Sequence, residues 1–268
     1  MEGGPSGLLL INGKEGKFFM NEVIETILNH RSLRHFEDMP LTEEQIKTIV
    51  SCAQSASTSS FIQAYSIIGV KNKEKKKKLA EIAGNQEYVE INGHFFIFCA
   101  DLNRHSIIGE MVQTDVTPSI ESTEKFMVAL IDASLAAQNA AIAAESMGLG
   151  ICYIGGIRNN LEEVKKLLKT PERVIPLFGL AVGVPTKLTD KKPRLPFEHI
   201  YHEDEYEQDK QVYVSQLQKY DDLISNYYNE RTEGKRKDRW SEQMAKMLDR
   251  KSRMYMKEFV QKNKLDLK

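Results

Sequence analysis

Residues 30–36 read His-Arg-Ser-Leu-Arg-His-Phe, which crowds arginine, histidine and hydroxyl side chains into one short stretch. Guanidinium groups present planar forks of N–H donors that fit phosphate and carboxylate oxygens, so this composition favours an anion. A solvated basic connection between two helices would carry the same residues, because charged side chains mostly stay in water. A second basic group, Lys192-Pro193-Arg194, sits in a polar loop where proline narrows the backbone and helps aim both cations at one anion. A third runs from Arg231 to Lys237 as Arg-Thr-Glu-Gly-Lys-Arg-Lys, with Gly234 giving it freedom to fold over a ligand. His30 and His35 lie beside arginines, a poor metal site, and residue order alone supports no Ser-His-Asp or Cys-His arrangement.

The elements that must position these groups can be read from periodicity. Val23, Ile24, Ile27 and Leu28 recur at helical spacing and predict an amphipathic helix over 21–29. Behind the first basic cluster, Thr42 and Gln45 suit a capping box and Leu41 and Ile46 a hydrophobic staple, so a second helix opens there. The Ser/Thr-rich stretch 55–60 reads as a hydrogen-bonded turn. Residues 65–70 and 95–100 read as strands, the latter almost continuously apolar and therefore central. The lysine run 71–78, with Leu79 and Ile82, reads as the solvated face of a helix; no aromatic residue interleaves with it, which argues against nucleic acid. The longest helical pattern spans 127–147, where Ala129, Ala133, Ala136, Ala137, Ala140 and Ala144 permit close approach of another element. Residues 151–154 form a strand that leads into Gly155-Gly156, a pair that lets backbone pass close to a flat ligand. No G-x-G-x-x-G is complete, so this is not a dinucleotide fingerprint. A further core strand is expected over 174–182, residues 101–125 read as cover and not core, and a last helix is expected from Trp240.

Composition narrows the class. At 268 residues the chain can bury a sizeable core as one large domain or two small ones. Its net charge of -1 points to neither nucleic acid nor an anionic membrane. Cys52, Cys99 and Cys152 are widely spaced in apolar company and form no CxxC, so small buried hydrophobes in a reducing compartment, the cytoplasm, are expected. No apolar run approaches the ~20 residues that span a bilayer. Residues 1–19 are punctuated by glycine and hold an apolar run from Leu8 that is briefer than the roughly 7 to 15 residues of a secretory segment. A non-native or disordered extension is expected there, with a short ordered arm as the alternative.

Four stretches then fall in a shared order: residues 30–36, Ala56-Ser57-Thr58-Ser59-Ser60-Phe61-Ile62-Gln63, Tyr153-Ile154-Gly155-Gly156 and Lys192-Pro193-Arg194-Leu195-Pro196. From about Met20 onward the chain resembles the nitroreductase family, in its NADPH-dependent bacterial branch of FMN nitro- and flavin reductases. The resemblance implies an α+β fold with a central, mainly antiparallel sheet flanked by helices. It also implies an intertwined homodimer with two interfacial FMN sites, residues 20–268 forming the domain and its C-terminal part wrapping the partner. Ser32, Lys192 and Arg194, helped by His30 and Arg31, would hold the FMN phosphate, and Arg34 would face the ring edge where negative charge gathers on reduction. Tyr153, Ile154, Gly155 and Gly156 would lie against the ring, with Gln86 beside it. Ser57 of the partner subunit, Ser59 of the partner subunit and Gln63 of the partner subunit would complete the pocket. No acid–base side chain is required, since the cofactor carries the chemistry. The implied turnover is ping-pong: NADPH delivers two electrons, leaves, and a nitroaromatic, quinone or free flavin takes its place. Arg231 and Arg236 stand where that branch recognises the 2′-phosphate of NADPH. Two other classes compete: a flavin-binding redox sensor without significant turnover, and a nucleotide- or RNA-binding module using Arg31, Arg34 and 235–237.

Removing residues 1–19 is expected to leave FMN content and dimerisation unchanged, measured by the visible absorbance spectrum and by light scattering. Loss of either would make that arm part of the fold.

Overall fold

A computed structural model describes the backbone of residues 9–13 and 16–268, with side chains from Met20 onward. The expectation of a foreign or disordered extension over 1–19 lies outside the described residues at 1–8 and 14–15, and the side chains of 1–19 are not described. Where the backbone is described, β1 (Leu9–Gly13) and β2 (Gly16–Met20) pair antiparallel, Leu9 opposite Met20. The chain divides into two compact units, Met1–Thr189 with Tyr255–Lys268, and Asp190–Met254.

In the first unit α1 (Glu22–Leu28) begins at Asn21, whose side-chain oxygen accepts from Ile24 N–H at 3.0 Å. The capping box opens α2 (Glu43–Gln54): Thr42 Oγ1 accepts from Gln45 N–H at 3.1 Å, and Gln45 Oε1 accepts from Thr42 N–H at 2.9 Å. There follow β3 (Tyr65–Val70), the lysine-rich α3 (Lys73–Ile82), α4 (Glu87–Glu90) and β4 (His94–Asp101). Then come α5 (Asn103–Met111), α6 (Thr117–Ile120), the long α7 (Thr123–Ser146), β5 (Gly150–Ile154), α8 (Leu161–Leu168) and β6 (Val174–Gly183). The second unit holds α9 (Lys210–Arg231) and α10 (Trp240–Leu248), and the chain returns to the first with α11 (Met256–Lys262).

Four strands form the central sheet in the order β3-β4-β6-β5, and every neighbouring pair is antiparallel. The fold is α+β. All eight residues of β4 are buried, which fits its apolar run and central place. Alternation along the strand sends Phe95, Ile97 and Cys99 to one face and Phe96 and Phe98 to the other. On the second face Ala136, Ala137, Ala140, Ala141 and Ala144 of α7 meet Phe96, Phe98, Ile151, Leu180 and Val182. Side chains this small let the helix axis settle close to the sheet. By length and composition α7 would also suffice to cross a bilayer. A search for uninterrupted apolar runs passes over it because polar residues break the pattern. In the second unit, Tyr220, Ile224 and Tyr228 of α9 point inward beside Leu195, Tyr227 and Trp240.

Two expectations change. Residues 101–125 contribute to the core, because Leu102 and Ile120 are buried in it and Glu121 pairs with Arg173 at 2.7 Å. The helix from Trp240 is followed by another: α11 buries Phe259 and Val260 in the first unit, and Tyr255 Oη donates to Arg158 O at 2.7 Å and accepts from Leu161 N–H at 3.0 Å. Its apolar residues are too few for periodicity to reveal the element.

His94, at the start of β4, is 3% exposed and packs on Phe96 at 4.3 Å, with its Nε2 unpartnered among the described residues. Burial, then the charges of Lys71 and Lys76, push its pKa down to about 4, with Glu43 opposing. An unfolded histidine titrates near ~6.5, so below that pH the unfolded chain binds the extra proton and the fold loses stability as pH falls toward 4. The full loss is roughly 3 kcal/mol at ~1.4 kcal/mol per pH unit. Urea midpoints between pH 7 and 4 are expected to fall more steeply for the parent than for His94→Gln. Parallel pH profiles would remove the histidine from the acid response.

Candidate functional site

The first basic cluster is held by the apolar residues inside it. Leu33 N–H donates to Ile151 O on β5 at 2.9 Å, Phe36 bridges Pro185, and Glu37 N–H donates to Val184 O at 3.0 Å beyond the end of β6. Leu33 and Phe36 are buried, while Ser32 is half-buried and Arg34 and His35 are exposed. Arg34 reaches Tyr88, its guanidinium carbon 6.0 Å from the ring centre, and with His35, Glu87, Tyr88, Ile91 and Thr186 it lines a cleft of about 130 Å³. Burial, then the neighbouring Cys152, pushes the Tyr88 phenol up, while the hydrogen bond from Arg34 pulls it down.

His30 and Arg31 face elsewhere. His30 Nδ1 lies 2.8 Å from Glu145 Oε1, and Arg31 lines a separate cleft of about 450 Å³ together with Glu22, Glu25 and Glu145. The seven-residue cluster therefore divides between two clefts, with three acids on the Arg31 wall and Glu87 alone on the Arg34 wall. Sequence spacing could not separate them, because α1 and the distant end of α7 supply the acids.

Residues 56–64 form a tightly specified loop. Ser60, Phe61 and Gln63 take positive φ values of 49°, 58° and 52°, a region costly for residues with a Cβ. Asp132, fully buried in mid-α7, holds this shape: Oδ1 accepts from Ser59 N–H and Oδ2 from Ala64 N–H, each at 3.0 Å. Arg104 Nη1 donates to Gln63 O at 3.2 Å, and His105 Nε2 lies 2.8 Å from Ile62 O. The Ser57, Ser59 and Gln63 side chains are left exposed, and Phe61 is 82% exposed. Sequence reading missed Asp132. The signal was there, since an acid amid alanines on an inward-facing helix must have partners.

Gln86 is half-buried at the start of α4, its N–H on Ala80 O at 3.3 Å. Tyr153 turns its ring toward Phe178 and donates its hydroxyl to Ala137 O of α7 at 2.8 Å, and burial pushes the phenol up. Its polar atom is therefore committed to the helix, whereas the resemblance assigned the residue to the flavin ring. Ile154 is buried on the opposite face of the sheet. Gly156 has a local reason to lack a side chain, because a Cβ there would stand 2.6 Å from Ala83 O. Its missing side chain lets the turn after β5 pass close to Ala83 beyond the end of α3, a reason that needs no ligand.

In the second unit Tyr220 Oη donates to Pro193 O at 3.0 Å and fixes the Lys192-Pro193-Arg194 loop. Lys192 Nζ stands 5.2 Å from the Tyr228 ring centre, and Arg194 is exposed. Arg231 Nη1 donates to Tyr227 Oη at 2.8 Å. Arg236 is exposed but tethered: its Nε donates to Asp238 Oδ2 at 2.6 Å, its backbone N–H to Thr232 Oγ1 at 2.9 Å, and its guanidinium lies 4.5 Å from the Tyr228 ring centre. Gly234, at φ 83°, donates to Asn229 O at 2.8 Å and closes the end of α9. The glycine expected to free this stretch instead locks its turn. Among the described residues Arg34 in the first unit, and Lys192 and Arg194 in the second, form no ion pair with a carboxylate, and each by itself suits an anionic group such as that of the flavin the resemblance implies.

Comparison with known proteins gives matches along most of the chain. Residues 27–184 match the family model described as "Nitroreductase family", and 192–268 match "Nitroreductase family, C-terminal domain". The chain is 57% identical over 241 residues to the FMN reductase (NADPH) of Bacillus subtilis (strain 168), covering 90% of this chain and 97% of that relative. It is similar to the solved structure of B. megaterium NfrA1, with 66% identity, a TM-score of 0.91 and coverage of 92% of this chain and 100% of that one. The NADPH:FMN oxidoreductase from Vibrio harveyi, solved in complex with NAD+, shows 38% identity, a TM-score of 0.83 and coverage of 92% and 100%.

Asp132→Ala would strip a buried amide (Ala64) and a partly buried one (Ser59) of a charged acceptor, at about 1.5 to 3 kcal/mol each. Denaturant unfolding is expected to show a loss of about 3 kcal/mol or more, with a smaller loss for Asp132→Asn, which keeps one acceptor. An Asp132→Ala protein of parental stability would mean that Arg104 and His105 hold the loop without it.

Proposed function

This chain belongs to the nitroreductase family, and on that premise we propose how its residues serve an NADPH-dependent FMN oxidoreductase. It takes FMN as cofactor and NADPH as electron donor. FMN, when bound, accepts two electrons from the nicotinamide and passes them to a small-molecule acceptor. Nitroaromatics, quinones and free flavin are the acceptors we assign, in ping-pong order.

The observation that carries the residue assignment is the pinning of Leu33 and Phe36, which turns Ser32 and Arg34 outward on a rigid edge. Ser32 offers a hydroxyl to the phosphate, and Arg34 offers a fixed cation to the ring edge that gains negative charge. In the second unit Lys192 and Arg194 are the cations given to the phosphate. His30 and Arg31, facing acids, are reduced to shaping the segment. Gln86, Gly155 and Gly156 present amide and backbone to the ring, with Ile154 as the apolar residue behind them. Ser57, Ser59 and Gln63 stand on the loop clamped by Asp132, where their side chains are exposed and form no hydrogen bond among the described residues, and they suit the neighbouring subunit's pocket. Tyr153 acts by fixing β5 against α7. Arg231 and Arg236 supply the 2′-phosphate contacts that favour NADPH over NADH.

Homodimerisation is supported by an exposed apolar stripe, Met127, Ile131 and Leu135 of α7, and by Val23, Ile27 and Leu28 of α1. Residues 190–254 are the part assigned to wrapping the partner. The free thiols of Cys52, Cys99 and Cys152 support the cytoplasm as the compartment.

Arg34→Ala is expected to lower the midpoint potential of the bound flavin and to weaken FMN retention about tenfold or more, as the loss of a charged hydrogen bond of about 1.5 to 3 kcal/mol implies. Spectroelectrochemical titration and fluorescence of released FMN measure the two effects. An unchanged potential at full occupancy would take Arg34 out of the site.

A further inference from the structure

One residue of the second unit touches both cations to which a phosphate has been assigned. The Tyr228 ring, in the last turns of α9 and 7% exposed, has Lys192 Nζ 5.2 Å from its centre and the Arg236 guanidinium carbon 4.5 Å from it. The ring's negative face attracts each cation. Its backbone is engaged as well: Tyr228 O accepts the Thr232 hydroxyl at 2.7 Å and the Thr232 N–H at 3.0 Å, and that same hydroxyl accepts the Arg236 N–H at 2.9 Å. Burial pushes the phenol up, yet the hydrogen bond and charge of Lys192, with the charge of Arg236, bring it below the ordinary tyrosine value. Asp238 braces Arg236 through its Nε. Tyr228 is thus the common support of two groups that otherwise repel.

We propose that Tyr228 is a positioning residue that couples the two phosphate sites, Lys192 for the FMN phosphate and Arg236 for the 2′-phosphate of NADPH. The inference rests on the assignment of those two cations above. An anion on Lys192 offsets its repulsion of Arg236 and relaxes its claim on the shared ring, so Arg236 seats better for the second anion. By thermodynamic reciprocity the second anion strengthens the first. FMN loading therefore prepares the enzyme to distinguish NADPH from NADH.

The test uses adenosine 2′,5′-bisphosphate as probe and adenosine 5′-monophosphate as control, titrated calorimetrically into FMN-loaded and FMN-free protein. The bisphosphate is expected to bind the loaded parent about fivefold or more tightly than the free one, the lower end of typical coupling. Tyr228→Leu is expected to abolish that difference and to lower the NADPH-over-NADH preference in KM. Tyr228→Phe, which keeps the ring, should preserve both while releasing FMN faster, because Lys192 loses the hydroxyl. Equal bisphosphate affinity in loaded and free parent would overturn the proposal. So would an intact difference in Tyr228→Leu or, if that variant fails to fold, unchanged FMN release in Tyr228→Phe. Arg236→Ala and Lys192→Ala separate the underlying reading: if the first leaves bisphosphate affinity unchanged, or the second leaves FMN release unchanged, the cation assignments themselves fail. If both alter binding and Tyr228→Leu alters neither, the assignments stand and the coupling role falls.

Discussion

The close seating of α7 on the central sheet is the contact from which the first unit's site geometry follows. A sheet whose middle strand is buried along its whole length must be covered on both faces. On one face the cover is a row of alanines, which leaves little between helix backbone and strand side chains. That proximity lets the Tyr153 hydroxyl reach the Ala137 carbonyl and lets Asp132 reach across to Ser59 and Ala64. Larger residues on that stripe would lift the helix and withdraw the carboxylate from a loop that cannot hold three left-handed residues unaided.

A common logic places the outward groups. Buried apolar residues do the fixing and the polar residues between them are left to face a ligand, as Leu33 and Phe36 do for Ser32 and Arg34. In the second unit aromatic residues take the fixing role: Tyr220 holds the Pro193 carbonyl and Tyr228 gathers two cations. Both arrangements spend rigid groups on placement; Arg34 and Lys192 form no ion pair among the described residues, whereas Arg236 is braced by Asp238.

Much of this was legible in the sequence. The capping box at Thr42 and Gln45, the four strands and the alanine helix are local patterns, and local patterns survive folding. What was hidden depended on residues far apart in the chain. His30 read as a helper at the phosphate, and its pairing with Glu145, more than a hundred positions away, was not visible in the local spacing. Gly234 looked like a source of freedom, yet the amide of that residue closes a helix end on Asn229. Tyr153 matched a flavin contact by motif, and the bond of its hydroxyl to the helix behind it could not be read from that motif. Asp132 was readable in principle, as a charge with no reason to sit among alanines, but only a burial argument applied to the whole helix would have found it.

The return of residues 255–268 to the first unit has a consequence for how the protein is made. Phe259, Val260 and Leu265 close a core whose strands are complete by Gly183, yet they leave the ribosome only after all of residues 190–254 have been synthesised. At ~5 to 20 residues per second, the nascent first unit waits several seconds with that apolar gap open. Tyr255 then arrives to bond Arg158 and Leu161 in one stroke, so a chain stalled before it lacks the last contacts of its own centre. Completion of the first unit's core is thereby tied to synthesis of residues 255–265, and products truncated before them are left with sticky surface for quality-control proteases and chaperones to recognise.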